Sequence, residues 1–288
     1  MFEYDAESPL DYEEHGCKFQ NGVNVCEISY ASPHGGRVSA LLLIPEHDPP
    51  LAGILFMHPS GTNRYVFLKE ASIFAKGGCE ALLIDAPYAR QPVRSVFSFT
   101  AQDRDDLIQA AIDLRRGVDL LLSRPDIDPN RIGCIGFSYG ATVAAMLAGA
   151  EKRIKAYILW ACSSNLTDFL QSQAKSLPDN KLYTYLGAMK VIDPIHHIRH
   201  VSPSSLLFQN GRHDRNAREK DVMALYKAAS EPKQIVWYDT GHSLDGKACQ
   251  DRYEWMREQL DLDLLSPELM KELGKFKLKQ MARPKGPL

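Results

Sequence analysis

The stretch "RIGCIGFSYGATVAAML", residues 131–147, decides the fold class, because an apolar run leads directly into a serine that stands between two glycines. The segment "RIGCIGF" predicts a buried strand, and the small-residue run from Tyr139 predicts a helix. A Gly-x-Ser-x-Gly sequence at such a junction is typical of a sharp turn that lifts a serine hydroxyl above the carboxyl edge of a sheet. Ser138 is therefore a candidate nucleophile. The alternative is a tight strand-to-helix turn in which the serine hydroxyl has no catalytic role.

The same alternation of strand and helix runs through most of the chain. Apolar runs predict further buried strands at residues 51–58, 80–87, 155–162, 204–211 and 233–239. Helical patterns lie between or after them at 66–76, 103–122, 216–229 and from about Leu244. Two β-rich segments, 23–30 and 38–45, flank a Gly/Pro turn and predict an opening antiparallel pair. The pattern predicts one doubly wound α/β domain with a mostly parallel sheet of about eight strands and helices on both faces.

Two segments stand outside this repeat. Residues 163–203, after the sixth predicted strand, are longer than an ordinary connection, and we expect a small insertion or cap at the active-site end of the sheet. Residues 263–288 are basic and end in a Pro-containing sequence, which predicts a C-terminal extension. The predicted domain is therefore residues 1–262.

Composition limits the class of protein. The chain has 288 residues, 44% of them hydrophobic and 24% charged, with a formal net charge of −2, as in an ordinary globular protein. Because the charges are mixed, neither nucleic acid nor an anionic membrane is an expected partner. The acidic start does not resemble a secretory signal, and no apolar run approaches the roughly 20 residues that span a bilayer. We expect a soluble cytoplasmic protein, and the sequence leaves open whether it forms a homo-oligomer.

The cysteines show no paired spacing. Three of the six fall in predicted strands, and the full set is Cys17, Cys26, Cys79, Cys134, Cys162 and Cys249. We predict reduced core thiols. The even number keeps a disulfide as the alternative, although disulfide-dense chains are usually short and secreted.

A serine hydroxyl is a weak nucleophile at neutral pH, so Ser138 needs a base within hydrogen-bond reach and a carboxylate that orients the base. Asp214 follows the strand predicted at 204–211, and His242 follows the one at 233–239. In an open parallel sheet, both loops emerge at the same edge as the Ser138 turn. The order Ser, Asp, His is also the one expected for this turn type. We predict a catalytic triad of Ser138, Asp214 and His242.

Other residues compete for these roles. His213 is a rival base and Asp168, after the sixth predicted strand, is a rival acid, but their places in the chain fit the triad less well. Three loop arginines are candidate ligands for a substrate carboxylate or phosphate, with a solvated surface position as the alternative: Arg64, Arg90 and Arg94.

We predict neither a cofactor nor a metal. The segment "HHIRH" places His196 and His200 at i and i+4, a spacing that zinc sites use, and His197 lies between them. No H-E-x-x-H glutamate or third ligand accompanies them, so an ordinary insertion surface is expected. The glycines at 133, 136 and 140 do not follow the G-x-G-x-x-G spacing of dinucleotide sites.

The segments "FMHPSG", "GFSYGA", "NGRHD" and "GHSLD" together make the chain resemble the α/β-hydrolase superfamily. The resemblance is strongest to its dienelactone-hydrolase-like and acetyl-esterase-like branch, which also contains the catalytic domains of prolyl-oligopeptidase-type peptidases. It covers about residues 38–245 and implies the α/β-hydrolase fold and an acyl-enzyme intermediate.

The same resemblance implies where the oxyanion hole lies. In that family, one amide belongs to the residue after a His-Gly pair that follows the third strand, and the other to the residue after the nucleophile. The pair here is His58-Pro59, which points to Ser60 for the first amide and Tyr139 for the second. Pro59 departs from the pattern and has no N–H of its own, so Gly61 is the alternative to Ser60.

The resulting hypothesis is a serine hydrolase that cleaves an ester-type bond. A carboxylesterase for small or medium acyl groups is the first choice, because the insertion is short for an elaborate lid. The alternatives with the same triad are a thioesterase, a C–C hydrolase or a peptidase. For a prolyl-oligopeptidase-type peptidase we expect a β-propeller or similar gate, and the residues before 23 leave no room for one. An aspartate would replace Ser138 in a dehalogenase. A noncatalytic binding protein of the same fold is the alternative from a different class, and the filled triad positions argue against it. Substrate-binding residues are not assigned.

Overall fold

Nine strands form a single sheet in the computed structural model, which describes residues 1–90, 95–175 and 177–276. The strands are β1 (Glu13–Gln20), β2 (Val23–Ala31), β3 (Arg37–Pro45), β4 (Leu51–Met57), β5 (Cys79–Ile84), β6 (Ile127–Phe137), β7 (Ile154–Trp160), β8 (Ser205–Gly211) and β9 (Lys233–Tyr238). The helices of the described residues are α1 (Leu68–Ala75), α2 (Ala101–Leu122), α3 (Tyr139–Ala148), α4 (Leu166–Gln173), α5 (Asp179–Lys190), α6 (Glu219–Ala228), α7 (Gly246–Leu260) and α8 (Pro267–Leu273).

The sheet is mostly parallel, with the strand order β1-β2-β3-β5-β4-β6-β7-β8-β9. Strands β4 to β9 pair in parallel, whereas β1, β2 and β3 form an antiparallel ladder that joins the rest through β5. The predicted doubly wound α/β fold is therefore confirmed. The sheet has nine strands rather than about eight.

The additional strand is β1, at the edge of the sheet. Almost all of its side chains are exposed, so the segment "EEHGCKFQ" contains no apolar run that would have indicated a strand. Cys17 on β1 lies directly opposite Cys26 on β2, with a Cα–Cα distance of 4.0 Å, and the two form a disulfide. The prediction of reduced thiols is wrong for this pair, because only the strand register brings the two sulfurs together. The other four cysteines are buried and unpaired.

The central strands are buried on both faces, as parallel strands covered by helices require. On β4, Leu55 and Met57 belong to the apolar cluster that includes α2 and α3, whereas Ile54 and Phe56 belong to the cluster that includes α1 and α7. This alternation is the period of two that a strand imposes on its side chains. Each such side chain contributes about 1.5–3 kcal/mol of burial free energy, so the central sheet is a rigid base for the loops at its edge.

The segment 163–203 forms α4, α5 and two short 3-10 turns. Its buried side chains, including Leu170 and Met189, belong to the apolar cluster on the α2 and α3 side of the sheet. Tyr185 on α5 also donates a hydrogen bond of 2.8 Å to Asp103 on α2. The segment is therefore packed onto the domain by both apolar and polar contacts.

Beyond α7, the helix α8 packs back onto the domain. Leu273 and Phe276 are buried in the cluster on the α1 and α7 side. The rest of the tail predicted as a basic extension, residues 277–288, lies outside the described residues. Within the described ranges, no helix combines the length and the apolar composition needed to cross a membrane.

Candidate active site

Ser138 stands at the junction of β6 and α3, in a backbone conformation that non-glycine residues rarely adopt. Its φ and ψ are 52° and −110°. Such a conformation costs on the order of 1–3 kcal/mol and persists only where the surroundings hold it. Here the Ser138 amide donates to the Trp160 carbonyl at 2.8 Å, and the Ser138 carbonyl accepts from the Thr142 amide at 2.9 Å. The turn is thus held from β7 on one side and from α3 on the other.

Two glycines allow this turn to pack closely. A Cβ on Gly136 would lie 2.4 Å from the Gly140 carbonyl oxygen, and a Cβ on Gly140 would lie 2.0 Å from that of Met57 at the end of β4. Both distances are far below any real contact of a Cβ atom. The two glycines are therefore required by close backbone approach, and the second one brings the start of α3 against the loop after β4.

The structure brings the three predicted triad residues together. Ser138 Oγ lies 2.9 Å from His242 Nε2, and His242 Nδ1 lies 2.7 Å from Asp214 Oδ2. With Nδ1–H donating to the carboxylate, Nε2 is free to accept the serine proton. Asp214 is buried, whereas the His242 side chain is 25% exposed.

The two loops that carry the base and the acid support each other. The His213 amide donates to the Thr240 carbonyl at 2.9 Å, and a Cβ on Gly211 would lie 2.3 Å from the Gly241 carbonyl oxygen. The other oxygen of Asp214 accepts the amides of Asn216 and Ala217 at 2.7 and 3.1 Å. The carboxylate is therefore oriented by its own loop, and that loop lies against the one that bears His242.

The rival candidates lie elsewhere. His213 Nε2 lies 2.6 Å from Asp239, and both side chains are largely exposed. Asp168 is exposed on α4, where its amide donates to Asn165. The structure therefore gives neither residue a contact with Ser138 or His242.

The histidines of the insertion do not form a ligand cluster. Within the described ranges, one group of three His, Cys, Asp or Glu residues has all donor atoms within 4.8 Å of one another, and it consists of Glu14, Cys17 and Cys26. Both sulfurs of that group are in the disulfide. His197 Nε2 instead contacts the Val191 carbonyl oxygen at 3.2 Å.

The loop after β4 is organised around the carbonyl of Pro59. That oxygen accepts hydrogen bonds from Thr62 Oγ1 at 2.9 Å, from the Tyr88 hydroxyl at 3.0 Å and from His58 Nδ1 at 3.0 Å. A trans peptide directs its N–H away from its carbonyl, so the Ser60 amide faces away from these three donors.

His58 is a buried, neutral support of this loop. Its Nε2 accepts the Ala86 amide at 3.0 Å, so Nδ1 carries the proton that Pro59 accepts. Burial lowers the pKa of His58 below its ordinary value of 6.5, with Asp85 opposing the effect. From the sequence, Tyr88 is expected in the core or the pocket wall rather than in the chemistry, and His58 only marks the position of the oxyanion loop. The signal for His58 was its place directly after a buried strand, where a polar side chain needs partners.

A cavity of about 260 Å³ opens beside Ser138. Its apolar side is formed by Phe97, Leu107, Leu166 and Phe169. Ser60 and Tyr139, two of the predicted donors of the oxyanion hole, also line it. Among the described residues that line the cavity, none is Asp, Glu, Lys or Arg.

Two of the loop arginines, Arg64 and Arg90, do not line this cavity. Arg64 pairs with the buried Asp85, and Arg90 pairs with Asp113 at 2.6 Å. Arg94 lies outside the described residues. The insertion does reach it, because Leu166 and Phe169 belong to α4.

Comparison with known proteins agrees with the fold. Residues 104–262 match the prolyl oligopeptidase family. Among curated proteins, the chain is similar to a Bacillus subtilis (strain 168) protein named uncharacterized peptidase YuxL, with 26% identity over 238 residues. That match covers 76% of this chain and 35% of the relative, so the chain spans about a third of the relative's length.

Among solved structures, the chain is similar to two acetyl xylan esterases. The one from Paenibacillus sp. R4 has a TM-score of 0.71 at 18% identity, covering 88% of this chain and 90% of that one. The one from Thermoanaerobacterium sp. JW/SL YS485 has a TM-score of 0.72 at 17% identity, covering 89% and 90%. At this level of identity the likeness shows the fold. The match of residues 104–262 to the prolyl oligopeptidase family confirms the predicted resemblance to the α/β-hydrolase superfamily.

Proposed function

The chain belongs to the prolyl oligopeptidase family, and from that premise we propose that it is a serine hydrolase and, more specifically, a carboxylesterase for small or medium acyl groups. The observation that carries the proposal is the hydrogen-bonded series Ser138–His242–Asp214 beside a cavity whose described lining residues include no Asp, Glu, Lys or Arg. We further propose that residues 1–262 form one domain in which residues 163–203 are a cap. Residues 263–288 are its proposed C-terminal extension.

In the proposed mechanism, Ser138 Oγ attacks the ester carbonyl carbon while His242 Nε2 takes the hydroxyl proton. Asp214 keeps the imidazole in the required tautomer and stabilises its positive charge. The tetrahedral intermediate collapses when His242 returns the proton to the departing alcohol. A water molecule, deprotonated by His242, then cleaves the acyl-enzyme ester and releases the acid.

Two backbone amides are proposed to stabilise the oxyanion. One is that of Tyr139, directly after the nucleophile, and the other is that of Ser60. The three hydrogen bonds to the Pro59 carbonyl support Ser60 over Gly61, because they turn the Ser60 amide to the opposite side. Each such donor lowers the barrier by about 3 kcal/mol in other serine hydrolases.

The cavity supports an uncharged substrate. Transferring an ionised group into a site that offers no counter-charge costs several kcal/mol, and the described lining residues include no Asp, Glu, Lys or Arg. A volume of about 260 Å³ lies just below the range of about 300–1,000 Å³ that is usual for small-molecule sites. Both observations favour a neutral ester with a short or medium acyl chain.

A peptidase is the second candidate, because the matching family and the Bacillus subtilis relative both bear peptidase names. Thioester or C–C bond cleavage with the same triad also remains an alternative. A noncatalytic binding protein would keep the cavity without the chemistry. For location, the cytoplasm stays a prediction, and the Cys17–Cys26 disulfide is an observation against it, since such bonds persist mainly in oxidising compartments.

The test is labelling of the purified protein by a fluorophosphonate, followed by hydrolysis of p-nitrophenyl esters of increasing chain length and of aminoacyl p-nitroanilides. We expect labelling and short-ester hydrolysis in the wild type, and neither in Ser138→Ala or His242→Ala. Ser72→Ala is the matched control, because that hydroxyl lies on α1 and donates to the Leu68 carbonyl. Faster cleavage of the anilides than of the esters would favour the peptidase, and a wild type that neither labels nor hydrolyses would overturn the proposal.

A further inference from the structure

Trp160, the last residue of β7, lies behind the triad in a fully enclosed position. The Phe137 ring stacks on its indole with centroids 4.0 Å apart and planes 19° apart. The Arg252 guanidinium carbon lies over the same indole, 4.1 Å from the ring centre. Two groups this close to one ring centre occupy opposite faces, so the indole is held between an aromatic ring and a cation.

This indole contacts the loop of the triad histidine. Trp160 Nε1 donates to the His242 carbonyl oxygen at 3.2 Å. The Phe137 ring that stacks on Trp160 also lies 5.0 Å from the His242 imidazole, centre to centre. The main chain and the side chain of His242 therefore both rest on the same aromatic pair.

The cation is itself held by buried polar groups. Arg252 on α7 forms an ion pair with Glu70 on α1, and neither side chain is exposed to solvent. Arg252 Nε donates to Gln209 Oε1 at 2.9 Å, and Gln209 Nε2 donates to the Ala248 carbonyl at 2.9 Å. The guanidinium is thus fixed from α1, β8 and α7.

Stability alone explains this ion pair poorly. A buried pair of charges can usually be replaced by apolar side chains of similar volume without loss, because the cost of removing the charges from water offsets their attraction. Here one oxygen of Glu70 and one terminal nitrogen of Arg252 have no hydrogen-bond partner among the described residues. Because a buried polar atom without a partner costs free energy, the ion pair contributes even less to the stability of the fold. What the pair does supply is a fixed cation against the Trp160 ring.

We propose that Trp160 is a positioning residue, which holds the main chain of His242 in register with Ser138, and that the Glu70–Arg252 pair holds Trp160. This inference rests on the proposed triad. His242 lies on the loop between β9 and α7, so its carbonyl needs an anchor while the imidazole gains and loses a proton. A displacement of about 1 Å at such a group lowers a rate by roughly 100-fold.

The test compares Trp160→Phe with Trp255→Phe. Trp255 is also a buried indole, on α7, but its Nε1 has no hydrogen-bond partner among the described residues, so the same substitution removes no bond there. We expect kcat on a p-nitrophenyl ester to fall roughly 10- to 100-fold in Trp160→Phe with KM within twofold, and to stay unchanged in Trp255→Phe. Amide hydrogen exchange of residues 240–245 should become faster only in Trp160→Phe.

A second variant distinguishes a loss of positioning from a folding defect. Glu70→Met combined with Arg252→Met removes both charges and fills their volume, so we expect an unchanged Tm and a roughly 10-fold lower kcat. Wild-type kcat in both variants, or unchanged exchange of residues 240–245 in Trp160→Phe, would overturn the inference. An inactive wild type would instead overturn the proposed function, and the exchange measurement would still decide whether Trp160 holds the loop.

Discussion

Replacing Gly140 by alanine adds one methyl group at the tightest backbone contact of the candidate site. The added Cβ would lie 2.0 Å from the Met57 carbonyl oxygen and 3.0 Å from that of His58. The first distance is about 1.4 Å short of the 3.4 Å at which ordinary contact begins. Gly140 lies in the helix α3, a conformation that alanine adopts readily, so the clash is the whole effect.

Neither partner of this contact can rotate away, because both are main chain. Overpacking in a core costs about 1–3 kcal/mol where side chains can adjust, so we expect about 3 kcal/mol or more here. For a chain of this size, that corresponds to a Tm lower by roughly 6–12 °C. The start of α3 and the loop after β4 must separate by about 1 Å, which moves the proposed oxyanion amides apart. We therefore expect kcat to fall at least about 100-fold in the molecules that remain folded.

The assay is thermal unfolding followed by circular dichroism, with ester hydrolysis measured well below the Tm. Gly187→Ala is the matched control, because Gly187 lies inside the exposed helix α5 and its added Cβ would meet nothing within 4 Å. That variant should gain about 0.5–1 kcal/mol of stability and keep its activity. A Gly140→Ala protein with the Tm and kcat of the wild type would show that the serine turn does not pack against β4 as described.

Three further predictions concern the acid, a buried carboxylate and the disulfide. Asp214→Asn should lower kcat about 10⁴-fold, because it favours the wrong imidazole tautomer. The control Asp239→Asn, at an exposed carboxylate, should change kcat less than twofold. Steady-state kinetics of ester hydrolysis measures both effects. Burial raises the pKa of Glu151, but the hydrogen bonds and charges of its arginine partners outweigh burial and hold the pKa below its ordinary value of 4.5. Its contribution to stability is therefore complete above about pH 4.5 and is lost as the pH falls through the lower folded pKa, so Glu151→Gln should lose about 2 kcal/mol at pH 7 and less at pH 3 in urea unfolding. Cys17→Ser combined with Cys26→Ser should speed amide exchange in β1 and leave ester hydrolysis unchanged, because neither residue lines the cavity; slower ester hydrolysis would contradict the separation of the two regions.

Much of the fold could be predicted from the sequence, since the relevant signals are local. A strand repeats its side chains every two residues and a helix every 3.6, so each run of residues carries its own period. The segments 131–137 and 139–148 are an example, because the apolar run and the small-residue run meet at Ser138. The strand β1 was missed for the same reason, since its side chains are almost all exposed and form no apolar run.

The candidate triad could be proposed from the sequence because the topology of a parallel sheet determines which loops lie close together. The residues Ser138, Asp214 and His242 each follow the carboxyl end of a parallel strand, and such ends share one edge of the sheet. No comparable rule selects between the amides of Ser60 and Gly61. That choice depends on the orientation of one peptide, which is set by side chains from two separate loops.

From the sequence alone, then, we could predict the α/β class, the mostly parallel sheet and the strand ends at which the candidate residues lie. Only the tertiary structure decided which groups are partners: the disulfide of Cys17, the ion pairs of Arg64 and Arg90, and the place of Trp160 against the His242 loop. The physical reason is that the two kinds of interaction act over different separations along the chain. Periodicity and turn chemistry act over a few residues, whereas hydrogen bonds, ion pairs and ring contacts require atoms within about 3–5 Å, and only the folded chain brings distant residues that close.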